Sequence, residues 1–445
     1  MSQNLTIRKG LDIKIAGGLT DLSPVDAPLS ASVAVSPDDF IGFVPKSAVK
    51  EGDTVKAGDP LLFDKRDNLM KLVAPVAGKV TAIVRGERRK ILRVVIEPDH
   101  SGDAAIFDTK VNNADDARRL LKISGLWALM RRRPFDIVPN PDIVPRDIFV
   151  SALDSAPLAV SPARFYADAK TLEAAVALLS LTTKGNVYIG RRDDGLLPDI
   201  KGATMVDIAG PHPAGNVGVM IANIAPINKG ESVWTLDLST LWRIGRLMLS
   251  SSVDFTDYVA LTGSEIAQPK VLKTVIGASI ASLTDGAIVK ADYHQRIISG
   301  NVLTGVKVDA DDYIRYPYRQ ITVIPEGDDV DEFMGWASLS PKKMSESRTF
   351  PGKLFGSVFR PDARLLGGRR AFIMSGEYER YMPMDIMAEY LLKAIIGKDI
   401  EQMEKLGIYE VAPEDFALGE YADTSKIEAQ KIVREGLDYL RKEIE

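Results

Sequence analysis

Between Val49 and Glu97, apolar and polar residues alternate in short runs. Turn residues interrupt them at Gly52 and Gly58 in the first half, and at Ala74-Pro75 and Gly78 in the second. A period of two with frequent turns is the pattern of short, half-buried strands. Strand and turn signals of this kind fill residues 1–107. The period then lengthens. Asn113 to Met130 gathers Leu120, Leu121, Leu126, Ala128 and Leu129, with Asp115 and Asp116 suited to a helix N-terminus, and predicts a helix. The following RRRPFDIVPNPDIVPRD carries Pro134, Pro139, Pro141 and Pro145, and is expected to run extended across the surface.

Strand and helix patterns next alternate. Strands are predicted over Ile148 to Leu153, Val187 to Gly190 and Met205 to Ala209, and helices over Ala169 to Thr183 and Leu238 to Leu249. That order predicts a parallel, Rossmann-like α/β layer over residues 108–250. Residues 251–330 return to strands (YVALTG, GAIVKADY, YRQITVIPEG) around a short helix from Pro269 to Gly277, as in a small β-grasp (SLBB-like) sheet. Residues 331–445 read as a mainly helical domain. There Pro383 suits a first helical turn, with Met384, Met387, Leu391 and Ile395 on one face and Gly397 past the end. Ser425 and Glu428 suit a capping box for a last helix bearing Val433, Leu437, Leu440 and Ile444. The fold class is therefore multidomain, α/β with α+β.

The two half-motifs around Gly58 and Gly78 resemble biotinyl- and lipoyl-type domains, folded-over β-sandwiches also called barrel-sandwich hybrids. A carrier of that type presents a lysine at the hairpin tip, because an amine is needed for acylation. Here that position falls at about Asp67, and Lys65 and Lys71 lack the Met-Lys-Met setting. The segment is read as a docking sandwich without a swinging arm.

Composition narrows the rest. Basic and acidic residues nearly balance, 56 against 61, giving a net charge of −5, which does not point to nucleic acid. With no cysteine, disulfides, thiolate catalysis and cysteine-ligated clusters are excluded. Three scattered histidines, His100, His212 and His294, argue against a histidine metal site. No apolar run reaches the ~18 residues of a membrane helix, and the first residues lack the apolar region of a signal peptide. A soluble chain held at a membrane by partner proteins is the expectation.

One glycine-rich loop follows a strand: GPHPAGNVG, Gly210 to Gly218. A phosphate loop must open directly into a helix so that its N–H groups face the anion. Here Pro211 and Pro213 remove two N–H groups, and GVMIANIAPIN reads as extended. A structural turn or a partner contact is the plainer reading. His212, a donor between prolines, can also hydrogen-bond a quinone carbonyl, which makes Gly210, His212, Pro213 and Gly215 the candidate quinone-contact residues. Arg131-Arg132-Arg133 is expected to be solvated or to pair across a protein interface. No catalytic motif or metal-ligand spacing is present.

Several segments occur in an order that resembles one family. They are TIRKGLDIKIAGG, the β-motif, SGLWALMRRRPFDIVP, FVSALDSAPLA, GPHPAGNVG, YPYRQITVIPEG with Gly335-Trp336, and REGLDYLRKE. The family is NqrA, a component of the bacterial sodium-translocating NADH:quinone reductases (Na+-NQR). Its relatives are the Rnf complex C subunit, together with the complex I flavoprotein subunit. The resemblance implies a peripheral subunit on the cytoplasmic face of the bacterial inner membrane. It would dock chiefly on the membrane B subunit, contributing to the quinone site, while flavins and NADH belong to other subunits. Where flavin-binding relatives carry a glycine-rich loop, this chain has GLWALMRRRPF, whose Trp127 and Met130 fill space a flavin needs. Gly419 stands where a cysteine is common in the family. The rival readings are a stand-alone NADH-dependent oxidoreductase and an assembly scaffold without quinone contact.

Overall fold

The computed structural model describes residues 3–328, 340–344, 346, 351–355 and 358–445. Gly335-Trp336 lies outside them.

The N-terminal alternation forms two facing sheets. One orders Val33–Val35, Ile91–Pro98, Gly78–Arg85 and Thr54–Val55; the other orders Pro45–Ser47, Pro60–Asp64 and Lys71–Val73. Val35, Leu62, Leu72, Val80 and Val94 meet between them. The hairpin tip is pinned, since the Asp67 carboxylate pairs with Lys122 at 2.8 Å.

The second sheet has the order Gln3–Thr6, Thr204–Ala209, Val187–Arg191, Ile148–Ser151, Val233–Asp237, Arg131–Arg133. The first five strands run parallel and the last antiparallel. Period-two alternation sorts its side chains onto two buried faces. Ile148, Val150 and Ile189 face the helices Ala169–Ser180 and Leu238–Ser250. Phe149, Val206 and Ile208 face the helix Val217–Ile224 and the C-terminal helices. Gly245 lets the first two helices touch, because a Cβ there would lie 1.9 Å from the Thr171 carbonyl oxygen.

The third sheet orders Val306–Val308, Gln295–Ser299, Gln320–Pro325, Thr256–Thr262, Lys270–Val275 and Pro24–Asp26 around the helix Ile280–Thr284. The N-terminal stretch thus lends an edge strand to each of the two larger sheets. The C-terminal part packs Glu377–Tyr381, Ala388–Ile396, Ile400–Lys405, Ala417–Ala422 and Ala429–Ile444 around Leu391, Met403, Phe416, Val433 and Leu437.

Several local expectations are corrected. The helix after Asn113 stops at Ile123, because Gly125 takes φ +78; Trp127–Leu129 is a single 3₁₀ turn and the arginines form a strand. The arginine–proline stretch is not a surface segment: Phe135, Ile137 and Val138 are core. Lys270–Val275 is a strand rather than a helix, being paired on both sides. Gly286 to Tyr293 is not a strand; only Ile288 bridges, to Ile266. The helix after Pro383 begins at Ala388. No capping box forms at Ser425 and Glu428, since Ser425 Oγ accepts from the Ile373 N–H and Glu428 pairs with Arg369.

Candidate functional site

The loop from Gly210 to Asn216 leaves the carboxyl end of Thr204–Ala209 and enters the helix Val217–Ile224 directly. The extended run expected of GVMIANIAPIN is therefore replaced by a helix, apolar because the sheet and the C-terminal helices bury it. Gly210 has φ +135, and a Cβ there would sit 2.3 Å from the Ile7 carbonyl oxygen.

His212 is 3% exposed. Its backbone N–H donates to Asp12 Oδ1 at 2.9 Å, and its carbonyl accepts from the Leu11 N–H at 2.8 Å. Ser155 Oγ lies 3.1 Å from His212 Nδ1 and accepts from the Gly215 N–H at 2.8 Å. Because the hydroxyl already accepts from Gly215, its hydrogen is directed to Nδ1, so the ring carries its own hydrogen on Nε2. That Nε2 is buried and has no hydrogen-bond partner among the described residues. Burial pushes the imidazole pKa down, against the opposing pull of Asp154 and Asp12, which favours the neutral ring. Ser155 presses on Gly215, where a Cβ would be 2.7 Å from the Ser155 nitrogen. A serine on Nδ1 with Nε2 unpartnered is not the arrangement of a hydrolase triad, in which serine bonds Nε2.

The first turn of Val217–Ile224 is filled by the chain itself. A Cβ on Gly218 would lie 2.5 Å from Arg133 Nη1 and 2.8 Å from both Asp415 oxygens. Arg133 donates to Asp415 Oδ2 and Glu414 Oε1, each at 2.8 Å, and to the Glu410 carbonyl at 3.2 Å. The Asp415 carboxylate thus stands at the positive end of the helix, where a phosphate would go. Asn216 Nδ2 ties the same loop to the Glu414 carbonyl at 3.3 Å. Glu414, though two-fifths of its side chain reaches solvent, is set deep among protein atoms. Burial pushes its pKa up to about 8; Arg133 opposes the rise, and Asp415, Asp136 and Asp154 add to it. The arginine triplet is accordingly not a solvated patch. Arg132 and Arg133 are buried, and Arg132 pairs with Glu445 at 2.5 Å and stacks over Phe135.

Ligands of open α/β sheets bind at the carboxyl ends of strands whose connections diverge. Here that crevice lies between Ile148–Ser151, which continues to Val187–Arg191 on one side, and Val233–Asp237 on the other. It too is occupied internally. Arg319, from the third sheet, pairs with Asp237 Oδ2 at 2.5 Å, and Gln320 Nε2 donates to the Pro157 carbonyl at 3.2 Å.

A separate apolar recess of about 40 Å³ opens where the three sheets meet, lined by Val35, Phe40, Leu72, Leu129, Phe255 and Tyr316 among others. Tyr316 stacks on Phe40 at 5.4 Å and donates its hydroxyl to the Leu129 carbonyl at 2.7 Å. At its rim, burial pushes the Asp39 pKa up to about 6 despite Arg315 and the Tyr316 N–H. Sequence reasoning missed this recess, and also Ser155, because their residues converge only in the fold. Trp127 and Met130 are fully buried. At Gly419 the space for a side chain is taken by the Tyr378 ring, 2.4 Å from where a Cβ would stand. No cluster of metal-ligating side chains occurs among the described residues.

Three family models match in sequence order: the NqrA N-terminal barrel-sandwich hybrid domain over residues 5–99, the NqrA second alpha/beta domain over 112–253, and the NQRA C-terminal domain, an SLBB model, over 258–310. The chain is 35% identical to the NqrA component of the Na(+)-translocating NADH-quinone reductase of Neisseria meningitidis, across 99% of this chain and all of the relative. The chain belongs to the NqrA family. The corresponding reductase components of Serratia proteamaculans and Pasteurella multocida match at 35% and 34% identity, again over 99% of this chain and the whole of each relative. Family membership assigns the sandwich, the α/β layer and the SLBB sheet, and places the chain in a reductase of several subunits. No described helix is long and apolar enough to cross a membrane.

Proposed function

We propose that the chain is the peripheral, cytoplasmic-face subunit of a sodium-pumping NADH:quinone reductase, and that it lends side chains to the quinone site while flavins and NADH stay on other subunits. Docking is chiefly on the membrane B subunit. The observation that carries quinone contact is the buried, unpartnered Nε2–H of His212, held in a neutral ring by Ser155. A neutral N–H donor is suited to a carbonyl oxygen, and an unmet buried donor gains most from one. The absence of flavin and dinucleotide is supported by the internal occupation of both α/β positions, by Asp415 at the helix and Arg319 at the strand ends. The apolar recess beside Phe40 and Tyr316 supports a second reading, in which the quinone ring enters there instead.

A photoreactive quinone analogue on the whole complex tests both. Label on the peptide carrying His212 supports the first reading, label on residues 34–40 or 125–129 the second, and no label on this chain favours the scaffold. His212→Leu is expected to lower quinone reduction about ten-fold, equivalent to a lost hydrogen bond of about 1.4 kcal/mol, while NADH oxidation by an artificial acceptor is unchanged. Unaltered quinone kinetics would remove His212 from the site. NADH-dependent dye reduction by the isolated chain would overturn the non-catalytic reading altogether.

A further inference from the structure

Between Arg364 and Ser375 the chain carries three arginines and no carboxylate, although its net charge is −5. This segment is coil, and its course is fixed at two places. The Arg370 N–H donates to the Ser425 carbonyl at 2.9 Å, and the Ile373 N–H to Ser425 Oγ at 3.3 Å. Beyond them, the Ser375 and Gly376 N–H groups both reach Glu389 Oε1, at 3.1 and 2.7 Å. The segment therefore runs from the turn before the last helix to the first turn of Ala388–Ile396, where Met387 and Tyr390 flank Glu389. Phe372 is held beneath Lys393, whose ammonium sits 5.8 Å from the ring centre.

Two features of this surface have no internal explanation. Four large apolar side chains stand out from it: Ile373 at 59% exposed, Met374 at 40%, Met387 at 58% and Tyr390 at 54%. Beside them Arg370 and Lys426 lie close enough to repel, and neither makes an ion pair among the described residues. Arg369 makes only a peripheral pair with Glu428, at 3.2 Å. Exposed apolar residues next to unneutralised cations suit a surface that offers both acyl chains and anionic phosphates. A carboxylate-bearing protein partner would meet the cations, but it gives no reason for the aromatic and methionine side chains to stand clear of the fold.

We propose that this patch is a contact with anionic phospholipid, in which Arg370 and Lys426 take headgroup phosphates and Ile373, Met374, Met387 and Tyr390 enter the interfacial zone. The proposal rests on the reading of the chain as a subunit working at a membrane, and is independent of where the quinone binds. It gives a chain with no described membrane-crossing helix its own hold on the bilayer surface, in addition to that of its partner subunits.

The test is flotation of the full-length chain with phosphatidylcholine vesicles and with an equal mixture of phosphatidylcholine and phosphatidylglycerol. Binding to the mixed vesicles alone is expected, weakened by salt. R370Q with K426Q is expected to lower it about ten-fold or more, since each basic group contributes about five-fold near an anionic surface. I373S with M374S should lower it without changing its salt dependence. Thermal melts of the variants are read alongside, and R370Q alone serves if the double change unfolds. Equal binding to both vesicle types, no binding, or binding indifferent to these changes would overturn the proposal. Incorporation into the detergent-solubilised complex is measured in parallel. Variants that fail to assemble there while the parent ignores vesicles would identify the patch as a protein interface and likewise overturn the lipid assignment. Normal assembly with no vesicle binding would sink the lipid contact and leave the reading as a reductase component intact.

Discussion

Replacing Arg133 with methionine is expected to destabilise the folded chain by about 3–5 kcal/mol, because breaking a buried ion pair from one side leaves an uncompensated charge. Arg133 is 1% exposed and joins three distant pieces of chain: its own strand, the first turn of Val217–Ile224, and the Glu414-Asp415 segment. Without the guanidinium, the wholly buried Asp415 carboxylate is left with a backbone partner, the Ala412 N–H at 2.9 Å, and no cation. Urea unfolding of the full chain measures the loss. A change below about 1 kcal/mol, the range of exposed pairs, would mean that the cluster relaxes to let water in.

The same cluster gives a pH signature. Glu414 has a folded pKa pushed up to about 8 from an ordinary 4.5. The folded state therefore keeps a proton that the unfolded chain has already released, and stability falls as pH rises between these values. Below 4.5 the penalty is absent, and above about 8 it is fully present. Glu414→Gln, which mimics the protonated form, is expected to raise the melting temperature over the parent by an amount that grows from pH 4.5 to about pH 8. A difference that stays flat with pH would show that solvent at the exposed edge of Glu414 screens the charge.

The sequence exposes those parts of the fold whose pattern is local. The sandwich half-motifs are legible because a half-buried strand writes its burial as a period of two. The strands Ile148–Ser151 and Thr204–Ala209 are legible as short runs rich in β-branched residues. Val217–Ile224 reads as extended because a helix covered on most sides loses its 3.6-residue stripe. The arginine triplet misleads for a different reason. The carboxylates that neutralise Arg133 lie 281 and 282 residues away, so nothing near the triplet advertises a buried pair. His212 can be singled out by its prolines, but Ser155, which sets its tautomer, is 57 residues distant. The recess beside Tyr316 draws its walls from several separate stretches of chain, and none of them has a signature of its own.

The second large effect is expected at Arg243, where the α/β layer and the third sheet are joined by buried charge. Arg243 is fully buried; it pairs with Asp257 Oδ2 at 3.3 Å and donates to Ser239 Oγ at 2.6 Å and to the Thr256 carbonyl at 3.0 Å. Asp257 also accepts from the Tyr166 hydroxyl at 2.6 Å, and Ser239 passes its hydrogen to Asp237 at 2.8 Å, which in turn holds Arg319. Two cations and two anions are thus interleaved across the boundary. Burial would raise the Asp237 pKa, yet Arg319, Arg243 and the Thr240 N–H hold it well below the usual carboxylate range. Arg243→Met keeps most of the side-chain volume but strands Asp257, and should cost about 3–5 kcal/mol. Adding Asp257→Asn removes the stranded charge, and the double variant should recover at least about 1 kcal/mol of that loss, as coupled neighbours do. Strict additivity would refute the coupling. If the boundary does depend on this network, Arg243→Met should also make thermal unfolding less cooperative. The sheet carrying Thr256–Thr262 would then melt apart from the α/β layer, which hydrogen exchange on those two sheets resolves.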